Sequence, residues 1–193
     1  MNVLEQIVQL DREITLWING LPSVQSDPFW WALSDTNFWI PFYIAILIFL
    51  IWKLGWKRGL LIALTVVLTV VCVDQFANLI KNSVCRWRPC FDDWMVANGV
   101  RIPYGVLGGK YGFFSAHAGN TFGFAMASYL GLKWRLPSHN ARIYGYGIFT
   151  WATLVAVSRL IMAAHFLGDI TVGALVGMCF GAAIAWLGRK ILA

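Results

Sequence analysis

Long apolar segments alternate with short polar breaks along most of this chain. A helix needs roughly 20 consecutive, mostly apolar residues to cross a bilayer. Five segments fit that length: residues 36–54, 59–80, 113–132, 143–163 and 169–188. The pattern therefore predicts an all-α integral membrane protein, built as a bundle of about five transmembrane helices.

The first 25 residues follow a different pattern. Apolar side chains recur there at spacings of three and four, as on one face of an amphipathic helix: Val3, Ile7, Leu10, Ile14, Trp17 and Ile18. Charged residues interrupt them, so we predict that residues 1–25 contain an amphipathic helix lying in the membrane interface. Residues 82–112, the longest break between spans, hold two prolines and several glycines and predict an ordered, irregular loop. We expect residues 1–193 to form a single domain.

Composition supports the membrane assignment. The chain is 59% hydrophobic and 12% charged, with a mean hydropathy of +0.66, whereas soluble domains carry roughly 25% charged residues. The formal net charge is +6, but no basic stretch lies on a polar, soluble segment, so nucleic acid is not an expected partner.

The distribution of basic residues predicts the orientation. Basic side chains without acidic neighbours follow the first, third and fifth segments, and the cytoplasmic side is the one enriched in Lys and Arg. These residues are Lys53, Lys57, Arg58, Lys133, Arg135, Arg142, Arg189 and Lys190. The N-terminus, the 82–112 loop and the turn at 164–168 are then expected to face outward.

Three polar segments interrupt the apolar pattern, and the predicted orientation places all three on the outward face. They are residues 81–89 (KNSVCRWRP), 114–117 (FSAH) and 158–169 (SRLIMAAHFLGD). Ionisable groups at membrane spans are costly and indicate a functional site. Two histidines, a carboxylate, three cations and two hydroxyls are the groups that cleavage of a phosphate ester requires.

Five of these residues are expected to bind the phosphate group. Lys81, Arg88 and Arg159 supply positive charge, and the two arginines can bind phosphate in a bidentate manner. Ser115 is expected at a helix N-terminus, where backbone N–H groups form an anion site. The small side chain of Ala116 would let a phosphate approach that backbone.

The two histidines suit nucleophilic and acid catalysis, because the histidine pKa lies near neutrality. Asp169 follows His165 by four residues, on the same face if that segment is helical. A carboxylate there would orient the imidazole and stabilise its charged form. We therefore predict His165 as the nucleophile, with Asp169 as its partner and His117 as the general acid, although the residues alone also permit the two histidines to exchange roles.

The three segments resemble the signature of the type 2 phosphatidic acid phosphatase superfamily. That signature reads Lys, six residues, Arg-Pro; then Pro-Ser-Gly-His; then Ser-Arg, five residues, His, three residues, Asp. The first and third motifs match in full, through Lys81, Arg88 and Pro89 and through Ser158, Arg159, His165 and Asp169.

The second motif differs at two positions, with Phe114 in place of Pro and Ala116 in place of Gly, but keeps Ser115 and His117. The resemblance implies a helical, metal-independent membrane phosphatase that forms a phosphohistidine intermediate and needs no cofactor. It also implies supporting roles for Pro89 and Ser158.

The expected substrate is a phosphate monoester or diphosphate of an envelope lipid, because the chain has no sizeable soluble domain to recruit a water-soluble molecule. Lipid A phosphate and undecaprenyl diphosphate are favoured equally, and phosphatidylglycerol phosphate and phosphatidic acid are further possibilities. The expected location is a bacterial inner membrane, with the active site facing outward. A lipid-phosphate flippase or a non-catalytic lipid-binding protein are the alternatives.

A few polar residues have no role assigned by the motifs. Arg86 and Arg101 could select an anionic headgroup, and Asp74 could pair with a polar neighbour inside the bundle. Cys85 and Cys90 flank the first motif, and free thiols are favoured there over a disulfide.

Overall fold

The computed structural model describes residues 2–105 and 108–192, so Val106 and Leu107 of the 82–112 loop lie outside the described residues. The described part is helical, apart from loops, short 3₁₀ turns and one isolated bridge. Its α-helices are α1 (Val3–Gly20), α2 (Asp27–Ser34), α3 (Ile40–Leu54), α4 (Trp56–Val84), α5 (Asp93–Ala97), α6 (Ala116–Lys133), α7 (Ser138–Ile161) and α8 (Leu167–Leu192).

Among the described helices, three are long and apolar enough to cross a membrane: Asn37–Leu54, Trp56–Val84 and Leu167–Ile191. The expectation of an all-helical membrane protein is thus confirmed. Helices α6 and α7 occupy the two other segments predicted to span. Helix α6 buries many small or hydroxyl side chains, which lowers its hydropathy while allowing close packing inside the bundle.

Helices α6 and α8 pack backbone to backbone through glycines spaced four residues apart. A Cβ atom built on Gly173 would lie 2.5 Å from the carbonyl oxygen of Ser115, and one on Gly181 would lie 2.7 Å from that of Gly123. Small residues at such spacing let transmembrane helices approach closely. This contact brings the start of α6, with the second polar motif, against the start of α8, which carries Asp169.

Aromatic side chains fill the space between α3, α6 and α7. The ring of Trp151 lies 4.9 Å from that of Phe42, 5.6 Å from that of Tyr43 and 5.8 Å from that of Phe124. Ring pairs at such distances add to the free energy of burial. This cluster fixes α3 beside the core helices, and one side of α3 remains open towards the cavity that holds the candidate site.

The N-terminal helix is joined to the bundle by a buried asparagine. Asn19 Nδ2 lies 2.8 Å from the carbonyl oxygen of Ile161 and 3.0 Å from that of Arg101, and Asn19 Oδ1 accepts from the Arg101 N–H at 2.8 Å. Arg101 Nη2 also donates to both carboxylate oxygens of Asp27 at the start of α2, each at 2.9 Å. Helix α2 was not predicted, although the Ser-Asp-Pro sequence at 26–28 is a recognised helix start.

Candidate active site

Backbone hydrogen bonds join the first motif to the residues just before the second. The Arg88 N–H donates to the carbonyl oxygen of Lys110 at 3.0 Å, and the Gly112 N–H donates to that of Arg86 at 2.9 Å. Trp87 and Tyr111 form an isolated antiparallel bridge between these bonds. The two ends of the 82–112 loop therefore run side by side.

A third bond joins the second motif to the third. The Ser115 N–H donates to the carbonyl oxygen of Asp169 at 3.0 Å, where α6 and α8 both begin. The three polar segments, which are distant in sequence, are thus connected through the backbone into one assembly.

This assembly lines one end of a cavity of about 700 Å³. Six of the ten predicted site residues line it: Lys81, Arg88, Ala116, His117, Arg159 and His165. Both histidines of the motifs and all three cations therefore line one cavity.

Three cationic side chains converge on the polar end of the cavity. Lys81 lies in the last turn of α4, while Arg88 and Arg159 are only 7% and 6% exposed. Arg159 Nη1 donates to the carbonyl oxygen of Ser34 at 3.2 Å and to the Ser34 hydroxyl, and Arg159 Nε is buried without a hydrogen-bond partner among the described residues. Cations held this close in a site with little water attract an anion strongly.

The environment favours the neutral form of His165. Burial lowers the pKa of His165 well below its ordinary value of 6.5, and the positive charges of Arg159, Arg88 and Lys81 lower it further. Burial also lowers the pKa of Arg88, and the interactions with Cys90 and Asp169 offset part of that lowering. A neutral imidazole retains the lone pair that nucleophilic attack requires.

His165 and Asp169 face each other, but not through the helical spacing that the sequence suggested. Helix α8 begins at Leu167, so His165 precedes the helix and Asp169 lies in its first turn. His165 Nδ1 is 3.6 Å from Asp169 Oδ2, which is beyond hydrogen-bonding distance, and Oδ2 accepts from the Phe166 N–H at 3.0 Å. A Cβ on Gly112 would make ordinary van der Waals contact with that nitrogen and oxygen, at 3.4 and 3.5 Å, but would lie only 3.0 Å from Arg88 Cγ.

The segment between α2 and α3 contributes to the site, which the sequence did not reveal. The Thr36 hydroxyl lies 3.1 Å from His117 Nε2, and Ser34, the last residue of α2, accepts from Arg159 just before this segment. The only sequence signal was the polar stretch of residues 34–37, which precedes the first span on the predicted outward face.

The other four predicted site residues lie behind the cavity wall. Ser115 and Ser158 have no exposed surface: Ser115 Oγ accepts from the Ala118 N–H at the start of α6, and Ser158 Oγ donates to the carbonyl oxygen of Val155. Pro89 begins a buried 3₁₀ turn after Arg88. Asp169 is not among the lining residues, whereas His165, 3.6 Å from it, is.

The residues to which the motifs assign no role pair mainly within the protein. Arg86 contacts two carboxylates, and Arg101 contacts Asp27. Neither arginine is among the residues that line the cavity. Asp74 Oδ2 accepts from Asn78 at 3.2 Å. All four cysteines are free thiols: Cys72, Cys85, Cys90 and Cys179.

Comparison with known proteins identifies the family. The family model of the PAP2 superfamily matches residues 58–192, which include all three polar motifs. The chain belongs to the PAP2 superfamily. It is therefore a phosphatase, and the resemblance noted from the motifs is confirmed.

Two curated relatives match nearly the whole chain of this PAP2 phosphatase. The lipid A 4'-phosphatase of Bacteroides thetaiotaomicron is 31% identical over 192 residues, covering 99% of this chain and 82% of the relative. The lipid A 4'-phosphatase of Porphyromonas gingivalis is 30% identical over 184 residues, covering 92% and 72%. Both alignments extend well beyond the motifs.

Two solved structures share the fold at lower identity. The first transmembrane PAP2 type phosphatidylglycerolphosphate phosphatase from Bacillus subtilis superposes with a TM-score of 0.75 at 19% identity, covering 96% of this chain and 88% of that one. LpxE of Aquifex aeolicus gives 0.62 at 20%, covering 92% and 93%. The PAP2 phosphatase thus has the fold of these membrane enzymes.

Proposed function

We propose that this PAP2 phosphatase hydrolyses a phosphate monoester of lipid A or of a closely related envelope lipid, releasing inorganic phosphate, at the outer leaflet of a bacterial inner membrane. One observation carries the proposal: the cavity has a cationic, histidine-containing end and continues as an apolar groove along the bundle. A phosphate attached to a membrane lipid needs both parts.

The groove has the length and lining that acyl chains require. Leu47 of α3 and Val66 and Val67 of α4 line the same cavity as Lys81. Val66 precedes Lys81 by fifteen positions, which corresponds to about 22 Å along a helix. The cavity therefore extends from the phosphate-binding end through most of the hydrocarbon thickness of a bilayer.

The relatives favour lipid A over the other lipids considered from the sequence. Two lipid A 4'-phosphatases match nearly the whole chain at about 30% identity. Undecaprenyl diphosphate, phosphatidylglycerol phosphate and phosphatidic acid have the same two-part character, so they are the comparison substrates for the test.

In the membrane, we place five helices across the bilayer and α1 in the interface. Helices α6 and α7 have 18 and 24 residues, so they reach about 27 and 36 Å, which suits a hydrocarbon core of about 30 Å. Helix α1 leaves Val3, Ile7 and Trp17 exposed on its surface. The basic residues at the opposite end of the bundle favour a cytoplasmic position for that end, so the site faces outward.

In the first chemical step, His165 Nε2 attacks the phosphorus atom and the bond to the lipid oxygen breaks. His165 Nδ1 faces Asp169, which supports Nε2 as the attacking atom and lets the carboxylate stabilise the positive imidazole. His117 gives its proton to the leaving oxygen, while Lys81, Arg88 and Arg159 stabilise the charge on the phosphoryl oxygens. The products are the dephosphorylated lipid and a phosphohistidine.

In the second step, water attacks the phosphorus of the phosphohistidine. The neutral His117 takes a proton from that water, the bond between nitrogen and phosphorus breaks, and inorganic phosphate leaves. His165 is then neutral again and His117 is protonated, so the cycle closes.

This mechanism predicts that activity does not depend on a metal ion. The three cations supply the charge stabilisation that metals provide in other phosphatases. Turnover should therefore stay within about twofold of its initial value after dialysis against excess chelator. Loss of phosphate release that one added divalent metal restores would contradict the mechanism.

The substrate proposal is tested by phosphate release from purified protein in detergent. Lipid A bearing a 4'-phosphate should be cleaved with the largest kcat/KM, at least about tenfold above undecaprenyl diphosphate, phosphatidylglycerol phosphate and phosphatidic acid. A higher value for one of those three lipids would reassign the substrate.

Two neighbouring positions on α4 test the groove. Val67 lines the cavity and is 48% exposed, whereas Leu68 is 52% exposed and lies outside it. Val67→Trp should raise KM for the lipid about tenfold and leave cleavage of a short, water-soluble phosphate monoester unchanged. Leu68→Trp is the matched control, and equal effects of both variants would reject the groove as the acyl-chain site.

A further inference from the structure

Asp169 is held by a chain of charges that begins outside the three motifs. Arg86 Nη1 donates to Asp169 Oδ1 at 2.7 Å, and Arg86 Nη2 donates to Asp11 Oδ2 at 2.7 Å. The Asp169 side chain has no exposed surface, that of Asp11 is 14% exposed and that of Arg86 is 24% exposed. One guanidinium thus joins two carboxylates that lie on different helices.

Helix α1 also holds the backbone at the start of α8. Asp11 Oδ1 accepts from the Gly168 N–H at 2.8 Å, and the Thr15 hydroxyl accepts from the Leu167 N–H at 3.0 Å. These are N–H groups of the first helical turn, which have no partner within the helix itself. A Cβ on Gly168 would lie only 2.9 Å from Asp11 Oδ2, so a side chain there would require the Asp11 carboxylate to shift.

The Arg86 guanidinium is further fixed by an aromatic ring. The Arg86 Cζ atom lies 4.2 Å from the ring centre of Phe166, the residue between His165 and the start of α8. A cation over an aromatic face is favourable, more so when water is largely excluded. Both ends and the face of the guanidinium are therefore held by the segment that carries His165 and Asp169, together with α1.

We propose that Asp11 and Arg86 are positioning residues, through which the N-terminal helix orients Asp169 against His165. Asp169 uses Oδ1 for Arg86, which leaves Oδ2 to face His165 Nδ1. The family match begins at residue 58, so Asp11 lies outside the part of the chain that the family model covers. The inference rests on the proposed role of His165 as nucleophile.

The two residues should affect His165 in opposite directions. Removing the negative charge of Asp11 leaves Arg86 less neutralised, which lowers the pKa of His165. Removing the positive charge of Arg86 raises the pKa of His165. The other charged or titratable groups that face His165 are Arg159, Arg88, Lys81, His117 and Asp169. Neither substitution replaces any of these five side chains.

The experiment compares pH profiles of kcat/KM for Asp11→Asn, Arg86→Met and the double variant. Protonation of His165 causes the acid limb, so Asp11→Asn should move that limb to lower pH and Arg86→Met to higher pH, each by up to about one unit. Both should lower kcat by roughly 10–100-fold with little change in KM, as loss of an orienting partner does. The double variant should return the limb towards its original position while kcat stays low.

Two further variants separate positioning from charge and from general stability. Arg86→Lys keeps the positive charge but cannot bridge two carboxylates, so kcat should fall while the acid limb stays in place. Arg12→Met breaks a different ion pair of α1, the 2.7 Å contact with Asp92, and should leave both kcat and the profile within about twofold of the original. Thermal unfolding in detergent identifies any variant that fails to fold.

The result would overturn the inference if the Asp11 and Arg86 variants left the limb in place or moved it in the same direction, while His165→Ala was inactive. Turnover by His165→Ala itself would instead reject the proposed mechanism. The two failures are therefore distinguishable.

Discussion

His165→Ala should lower kcat by at least about 10⁴-fold, because removing a nucleophile leaves only the catalysis supplied by the binding groups. The Lys81, Arg88 and Arg159 cations remain, so the variant should still bind the lipid phosphate with an affinity near that of the original protein. Steady-state phosphate release and equilibrium lipid binding measure these two effects separately.

The same variant tests for the covalent intermediate. Rapid acid-free quenching of the original protein with ³²P-labelled lipid should give a labelled protein whose label is stable in base and lost in acid, and His165→Ala should give none. The chain offers a matched control in His139→Ala, since His139 is the third histidine and is exposed at the start of α7. Label that persists in His165→Ala and disappears in a His117 variant would assign the nucleophile to His117.

His117→Gln should lower kcat for lipid substrates by about 10²–10⁴-fold, the usual contribution of a general acid. Glutamine can still hydrogen-bond to the Thr36 hydroxyl but cannot give a proton to the leaving oxygen. The loss in kcat/KM, which reports only the steps up to departure of the leaving group, should shrink to less than about tenfold for an aryl phosphate, since that leaving group departs without a proton. An equal loss on alkyl and aryl phosphates would contradict the role of general acid.

The pH profile provides a second test of the same assignment. The original protein should give a bell-shaped profile, because one histidine must be neutral and the other protonated. The acid limb should lie below pH 6.5, since burial and the nearby cations lower the pKa of His165. His117→Gln should keep that acid limb and lose the alkaline one, and loss of the acid limb instead would show that the histidines have exchanged roles.

The membrane class, the family and the set of reactive side chains were accessible from the sequence, for a local reason. Hydropathy over about 20 residues and the spacing of residues within each motif are properties of short segments. Lys81, Arg88, His117, Arg159 and His165 could therefore be selected from the motifs alone, and the predicted orientation already placed them on one face.

The grouping of these residues within one cavity also depended on how the helices cross and on where a groove opens between them, which the sequence shows only indirectly. The glycines of α6 and α8 could be read as small residues, but their mutual contact follows from how the two helices cross. The pattern also gave no length for the groove beside Val67, because an apolar residue that faces a cavity has the same hydropathy as one that faces lipid.

The partners of the motif residues were decided by the tertiary structure alone. Ser34 holds Arg159 across 125 positions of sequence, Thr36 reaches His117 across 81, and Asp11 reaches Arg86 across 75. Such contacts arise when helices from distant parts of the chain pack together, and no local periodicity records them. The sequence by itself determined which groups are proposed to perform the chemistry, whereas only the packing of α1 and of the segment before α3 against the bundle decided what holds those groups in place.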